Sequence, residues 1–426
     1  MSFKKLGKAF LCRMLEAQVK RLRRRNDFII VAVAGSVGKT STKLAIATML
    51  ASRQRVMYQA GNYNDRVTVP LVLFGQTEPG IFNLVAWFRL LLANQRSLRQ
   101  PYAYDIAVLE LGTDGPGQLA KFAYLQPDVV VITAVAPEHM EFFVSLDAVA
   151  KEELTPLNFS KQALLNLDDI PGQYLPQTTY RGYGQNKVAE YRLVSSRLHD
   201  LQGQQLELKL GAKTPLQVTT PLLGQPGAKI VTAAAGLADM LGWSPSDIQV
   251  GLAAIGPVAG RMNILPGANG SVLIDDTYNS SPAAATAALD VIYQAKAKQR
   301  ICILGSMNEL GRSSPAEHRA VGDYCRSDKL DEVITIGAEA EKYLATAAQK
   351  NGCKVRSFSS PYAAGAYAKQ YLKPGTVILA KGSQNQVFAE EALKLLLQTP
   401  SDSSRLVRQS AAWLKLKRQQ FPDAEA

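Results

Sequence analysis

At 426 residues, 47% hydrophobic and 20% charged, the chain has apolar material for two or three globular domains and none of the composition of a disordered one. Its net charge of +12 is uneven: residues 1–25 hold nine Lys/Arg against one Glu, so +8 sits there and +4 on the rest, which excludes nucleic-acid binding by the body of the protein. Four scattered cysteines, three histidines and no run of about 18 apolar residues exclude a disulfide framework, a His-rich metal site and a membrane span; nor does a secretory signal's apolar core follow the N-terminal charges.

The basic segment comes first and is predicted to be helical. Phe3, Leu6, Phe10, Met14, Leu15, Val19 and Leu22 recur at three- and four-residue spacing, making residues 1–27 a basic amphipathic helix. Phe28–Ala34 is a buried strand rich in Ile and Val, and "GSVGKTSTKLA" carries it through a Gly-rich turn into a helix. The strict phosphate-loop spelling wants a glycine where Val33 stands, so the plain motif fails. Its physics survives. Gly35, Ser36 and Gly38 form a tight turn whose backbone N–H groups approach phosphate oxygens, at the start of a helix whose N-terminus favours the anion. Lys39 supplies a point charge, and Thr40, followed by Ser41, supplies a hydroxyl for Mg²⁺. The plain alternative is an ordinary strand-to-helix turn.

Further along, "VMY" is a short strand, "IFNLVAWFRLLLANQRSLRQ" an apolar helix with a basic tail, and "YDIAVLELGTDGPGQLAKFA" a strand, turn and helix. "PDVVVITAV" and "QALLNLDD" are further strands, with a helix in "SLDAVAKEEL" between them. This alternation predicts an α/β fold with a mostly parallel sheet. Residues 186–223 alternate like antiparallel strands, "KIVTAAAGLADMLG" is an Ala-rich helix, and after "GRM" a second α/β unit begins. "SSRLVRQSAAWLKLKRQQF" predicts a basic terminal helix.

Taken in order, "AGSVGKTSTK", "GNYNDRVTVPLVL", "DIAVLELGT", "VITAVAPEHMEFF", "GRM", "LIDDTYNSSPAAATAALD", "LGSMNELG", "HRAVG" and "AKGS" resemble the Mur ligase family over roughly residues 28–400. The chain is most similar to members that add D-alanyl-D-alanine to a UDP-muramoyl tripeptide. The resemblance implies a P-loop central domain over 28–258, with a parallel sheet and a small antiparallel subdomain, and a Rossmann-like C-terminal domain over 259–426. It implies an ATP-dependent, Mg²⁺-assisted amide ligase of peptidoglycan and cell-wall biogenesis, working through an acyl phosphate. Its partners are a carboxylate-bearing cell-wall precursor and an amino acid or dipeptide.

Lys39 would clamp the γ-phosphate, Thr40 and Glu110 would hold Mg²⁺, and His139 would help hold a second metal; Lys39, His139 and Arg261 are the expected catalytic residues. Arg261, Asp276, Tyr278 and Asn279 match positions where the last domain meets ATP, while Asn64, Lys381 and Ser383 match the substrate side.

Three departures stand out. Only 27 residues precede the first strand, where relatives carry a domain that grips the UDP-sugar. The family's carbamylated lysine falls on Glu153, with Lys151 two residues off; Glu153 is either a permanent carboxylate ligand or a solvated helix charge. A His-Asn segment ahead of the Ala-rich helix reads "QPGAKIV", leaving nucleotide preference open. Two other functions remain: a poly-amino-acid or folate-type γ-glutamyl ligase, and an ATP-binding scaffold without turnover. Residues 1–25 and 81–99 pair apolar stripes, including Trp87 and Phe88, with Arg and Lys. They fit either helices in a membrane interface or helices packed on the fold, which makes the expected location cytoplasmic, peripheral to the inner membrane face.

Overall fold

The computed structural model of the chain describes residues 3–61, 63–80 and 83–422, with side chains from Gly7 onward. Helix α1 (Phe3–Arg25) leads into β1 (Ile29–Ala34), whose side chains alternate between two cores: Val31 and Val33 enter one, Ile30, Ala32 and Ala34 the other. A central strand covered by helices on both faces needs that pattern. Next come α2 (Lys39–Leu50), β2 (Val56–Met57), α3 (Thr68–Leu73), α4 (Leu84–Ser97), β3 (Ile106–Glu110), β4 (Val129–Ile132), α5 (Leu146–Glu153), β5 (Gln162–Asn166) and β6 (Arg181–Gly184). Three longer strands follow: β7 (Tyr191–Leu198), β8 (Gln204–Leu210) and β9 (Leu216–Thr220).

Among the described residues these strands form one sheet ordered β2-β3-β1-β4-β5-β6-β7-β8-β9, parallel as far as β7 and antiparallel beyond it. The antiparallel strands expected as a small subdomain are the far end of this same sheet. α6 (Gly224–Met240) packs directly on it: a Cβ on Gly236 would lie 2.8 Å from the Tyr191 ring. α7 (Pro245–Ala253) closes the unit. The helix expected after "LELGTDGPGQ" is a 3₁₀ helix, Leu119–Leu125. Its buried residues Leu119, Phe122 and Leu125 recur every third position, the 3₁₀ repeat, and Glu152 anchors its start by accepting from Gly117 N (2.6 Å) and Leu119 N (2.7 Å).

The second sheet has the order β10-β11-β15-β12-β13-β14, with only β10 antiparallel. Its elements are β10 (Asn263–Pro266), β11 (Val272–Asp276), α8 (Pro282–Gln294), β12 (Gln299–Gly305), α9 (Ser314–Tyr324), β13 (Glu332–Ile336), α10 (Thr346–Lys350), β14 (Val355–Phe358), α11 (Pro361–Gln370), β15 (Thr376–Lys381), α12 (Glu390–Leu396) and α13 (Ala411–Gln420). The cysteines are free and buried: Cys302, Cys325 and Cys353 in this unit's core, Cys12 on the inner face of α1.

Helices α1 and α4 pack on each other and on α3. Cys12, Leu15, Leu71, Trp87 and Leu90 share a small core, and Gln18 ties the pair together, donating to Leu91 O (2.9 Å) and accepting from Asn94 Nδ2 (3.0 Å). Much of each apolar stripe therefore belongs to the fold, Trp87 included. Phe10, Met14, Leu84, Val85, Phe88 and Leu92 stay exposed. Residues 81 and 82 of the predicted apolar helix, and the side chains of Phe3 and Leu6, lie outside the described residues. Among the described residues no helix is long and apolar enough to cross a membrane.

Candidate active site

The turn after β1 sits at the carboxyl edge of the parallel strands, where ligands collect in such sheets. Gly35 (φ 121°) presses on the neighbouring strand end: a Cβ there would meet Thr133 Oγ1 at 2.4 Å and Ala134 N at 2.8 Å. Gly38 (φ 87°) is the N-cap of α2, a left-handed position that glycine adopts without a steric penalty. Ser36 is buried and accepts from Ala136 N (3.1 Å). Lys39 donates to Ser36 O (3.2 Å) and reaches Glu138 Oε2 (3.3 Å). Burial pulls its ammonium down, but Glu138, Glu153 and Glu110 outweigh that and hold it above the usual lysine range.

Glu110, at the end of β3, is buried against Lys43, an ion pair at 3.2 Å, and Asn64 Nδ2 donates to its Oε1 (3.3 Å). Glu110 Oε2 is the oxygen that faces Lys43. Lys43 lies one helical turn beyond Lys39, on the same side of α2, and also donates to Gly61 O (3.0 Å). Glu153, on α5, is 2% exposed, which rules out a solvated helix charge. It sits behind the loop, with Oε2 accepting from Gly35 N (2.8 Å). Burial pushes its carboxyl up to about 7, against the pull of Lys39.

The second unit faces this loop. Arg261 stacks on the Tyr278 ring at 4.2 Å, and its buried Nε has no hydrogen-bond partner. Tyr278 N donates to Gly260 O (2.9 Å). Beneath them Asp275 is fully buried, accepting from Gly260 N (2.8 Å) and the Thr277 hydroxyl (2.6 Å); burial pushes its carboxyl up to about 6. Lys381 is buried as well, bonded to Asp276 Oδ2 (2.6 Å) and Asn279 O (3.0 Å), while Ser383 Oγ accepts from Asn308 N (2.8 Å).

The units touch across the site. His139 Nδ1 lies 2.8 Å from Glu309 Oε2, and Met140 N donates to Glu309 O (2.9 Å). Both His139 (φ 51°) and Glu309 (φ 66°) take the left-handed backbone that non-glycine residues seldom adopt. Burial pulls the His139 imidazole down, but the bond to Glu309 and the charge of Glu138 raise it above its ordinary value.

A cavity of about 780 Å³ lies between the units. Of the residues expected at the site, Ser36, Gly38, Lys39, Thr40, Ser41, Asn64, Glu110, His139, Arg261, Asp276, Tyr278, Asn279, Lys381 and Ser383 line it; Gly35 and Glu153 do not. Thr40 and Glu110 offer the hard oxygen donors that suit a magnesium ion completed by phosphate oxygens. Among the described residues there is no ready-made cluster of three His, Cys, Asp or Glu. Sequence reasoning missed Lys43, Glu138 and Glu309. Lys43 had a signal, a lysine four residues after Lys39 in "GKTSTK".

The Mur ligase middle domain model matches residues 88–238, and the model of the Mur ligase glutamate ligase domain matches 260–384. The UDP-N-acetylmuramoyl-tripeptide–D-alanyl-D-alanine ligase of Synechocystis sp. is 30% identical over 384 residues, 89% of this chain and 77% of that protein. Its Bacillus subtilis namesake is 27% identical over 380 residues, 87% and 76% of the two chains. The fold matches the crystal structure of MurF ligase from Thermotoga maritima in complex with ADP, with a TM-score of 0.74 at 20% identity over 92% of this chain and 84% of that one. The chain belongs to the Mur ligase family.

Proposed function

We infer that this chain is an ATP-dependent ligase that forms an amide bond in peptidoglycan-precursor synthesis, joining a dipeptide of the D-alanyl-D-alanine type to a peptide carboxylate. The observation that carries the reading is the shared cavity: a phosphate-loop lysine on one wall, and Arg261, Asp276, Tyr278 and Asn279 on the other. The acceptor carboxylate attacks the γ-phosphorus, and the bond to the β,γ-bridging oxygen breaks. The amine nitrogen then attacks the acyl carbon, loses a proton, and phosphate leaves with one oxygen of the original carboxylate. Lys39 and Arg261 both line the cavity that would hold this path, so charge spreading over the phosphoryl oxygens would meet fixed cations.

Thr40 and Glu110 would hold Mg²⁺, which when bound neutralises phosphate charge. His139 and Glu153, engaged with Glu309 and Gly35, take positioning roles: His139 joins the two walls, and Glu153 holds the loop from behind. Acceptor labelled with ¹⁸O in its carboxylate tests the chemistry. One label should appear in the released phosphate; unlabelled phosphate sinks the acyl-phosphate route.

We also propose that the protein works on the cytoplasmic side against an anionic membrane face. Phe10 (67% exposed), Leu84 (77%) and Phe88 (63%) project from α1 and α4, beside exposed Arg13, Arg89 and Arg96. Apolar groups among cations match an anionic lipid surface. Because α1 also carries the core residues Cys12, Leu15, Val19 and Leu22, the test is Phe10→Ser with Phe88→Ser rather than deletion. The wild type should pellet with anionic vesicles at low salt, and both salt and the double substitution should release it. Equal recovery in the supernatant with anionic and neutral vesicles ends this reading.

A further inference from the structure

The residues after 384 lie beyond the stretch matched by the family's C-terminal model, yet they reach back to the nucleotide wall of the cavity. Arg408 makes the connection. Its guanidinium is buried, donating from Nη1 to Tyr278 O (2.9 Å) and from Nη2 to Thr277 O (2.6 Å). The same group grips both oxygens of Glu390, at 2.8 and 2.7 Å. Glu390 is held in turn by Lys417 Nζ (2.7 Å), which also bonds Glu391 (2.6 Å) and Arg408 O (2.9 Å).

The Thr277 and Tyr278 carbonyls stand where the chain leaves β11, with no further ladder to satisfy them, and a buried carbonyl needs a partner. A planar guanidinium can bridge two carbonyls and a carboxylate at once; an ammonium cannot match that fork. Arg408 holds this pose with φ 55°, a cost that the surrounding bonds offset. Val407 completes the contact from the apolar side. A Cβ on Gly260 would lie 2.8 Å from Val407 Cγ1 and 3.0 Å from Tyr278 N, so the Gly260–Arg261 turn is wedged between the two.

We propose that Arg408, locked by Glu390 and Lys417, is a positioning residue for the nucleotide site: it fixes the Thr277–Tyr278 turn and thereby the angle at which Tyr278 presents Arg261 to the cavity. Arg408 lines none of the cavity, so it acts only through these residues. The proposal rests on the reading of Arg261 as a nucleotide contact.

The test uses the full chain with Arg408→Lys, Arg261→Ala and the double variant. It measures ADP affinity by calorimetry, KM for ATP against kcat, and Tm. Arg408→Lys keeps the charge beside Glu390 but loses the carbonyl bridge. ADP affinity should fall about tenfold, the cost of roughly 1.4 kcal/mol, and KM for ATP should rise with it while KM for the acceptor stays put. In the Arg261→Ala background Arg408→Lys should add nothing, because both act through one contact. Should Arg408→Lys not fold, Val407→Ala loosens the same turn without touching a buried charge and carries the same comparison.

A lowered Tm with unchanged ADP affinity makes Arg408 merely structural and overturns the proposal, as do losses that add in the double variant. If Arg261→Ala alone leaves ADP affinity unchanged, the nucleotide reading of Arg261 falls and takes the clamp with it. If Arg261→Ala weakens ADP and Arg408→Lys does not, only the clamp falls.

Discussion

The two α/β units bury charge in opposite ways. Around the phosphate loop the lysine–carboxylate pairs are long: Lys39 to Glu138 at 3.3 Å and Lys43 to Glu110 Oε2 at 3.2 Å. In the C-terminal network the contacts of Arg408 and Lys417 are short, at 2.6–2.9 Å, with Lys394 standing off at 3.6 Å from Glu391, and each carboxylate of Glu390 and Glu391 has several donors. On the proposed reading, charges that would exchange partners with a triphosphate keep the longer contacts, and charges that set a frame keep the shorter ones. Lys39, 12% exposed and lining the cavity, is the lysine proposed for catalysis; Lys417, fully buried, is the one that builds the frame.

The sharpest way to break this comparison is Lys417→Met. It takes the shared ammonium from two buried carboxylates, leaving Glu390 to Arg408 and Glu391 to Gln409 and Lys394, and removing one partner of a buried pair costs about 3–5 kcal/mol. Thermal unfolding should show a large fall in Tm; a shift within a degree or two would mean the network is not structural. Lys39→Ala should do the reverse. Turnover drops about 10²–10³-fold for loss of a charge on the transferring group, while Tm falls far less than in Lys417→Met, since this side chain faces the cavity. Equal turnover by variant and wild type on a verified substrate would end the catalytic assignment.

Asp275 lies at the boundary between the two behaviours and gives a pH test. Its folded carboxyl titrates at about 6, above the ordinary 3.8, so the native state binds that proton more tightly than the unfolded chain. Stability contributed by this group is present at low pH and is lost as pH rises from about 4 to about 6, after which the loss is complete. Denaturant titrations across that window should show Asp275→Asn with one proton less of linkage than the wild type; identical slopes would move the effect to another group.

The smallest effect concerns Glu153. Its carboxylate belongs to the chain, so bicarbonate-free buffer should leave turnover unchanged. Glu153→Gln keeps an acceptor for Gly35 N but removes a charge near Lys39, and through that charge, not through ligation, the Mg²⁺ titration should move a few-fold to higher concentration. A titration that does not move would leave Glu153 with the loop as its sole concern.

Much of this was legible in the sequence because it is local. The strand, Gly-rich turn and helix around Lys39 carry their own spacing, and Glu110 announces itself by ending an apolar strand. What escaped is what distant segments decide together. Glu309 meets His139 only because both residues adopt left-handed backbone at the ends of different loops. Arg408 and Lys417 belong to the segment expected as a basic terminal helix, of which Ala411–Gln420 is helical, and their burial depends on Glu390 and Glu391, some 18 to 27 residues away. The stripe of α1 predicted its helix, but not which residues the fold would cover: Leu15 is buried and Phe10 is exposed.

The four thiols have a practical consequence. Burial raises each of them above its ordinary value, so in the closed protein they are poor nucleophiles as well as inaccessible. Alkylation must wait for local opening, and its rate then records how often that opening occurs. Cys12 responds when α1 lifts from α3 and α4; Cys302, Cys325 and Cys353 respond when the second core opens. Without any introduced label the chain carries two separate clocks, readable as mass shifts of different peptides, for the excursions of its N-terminal helix and of its second α/β unit.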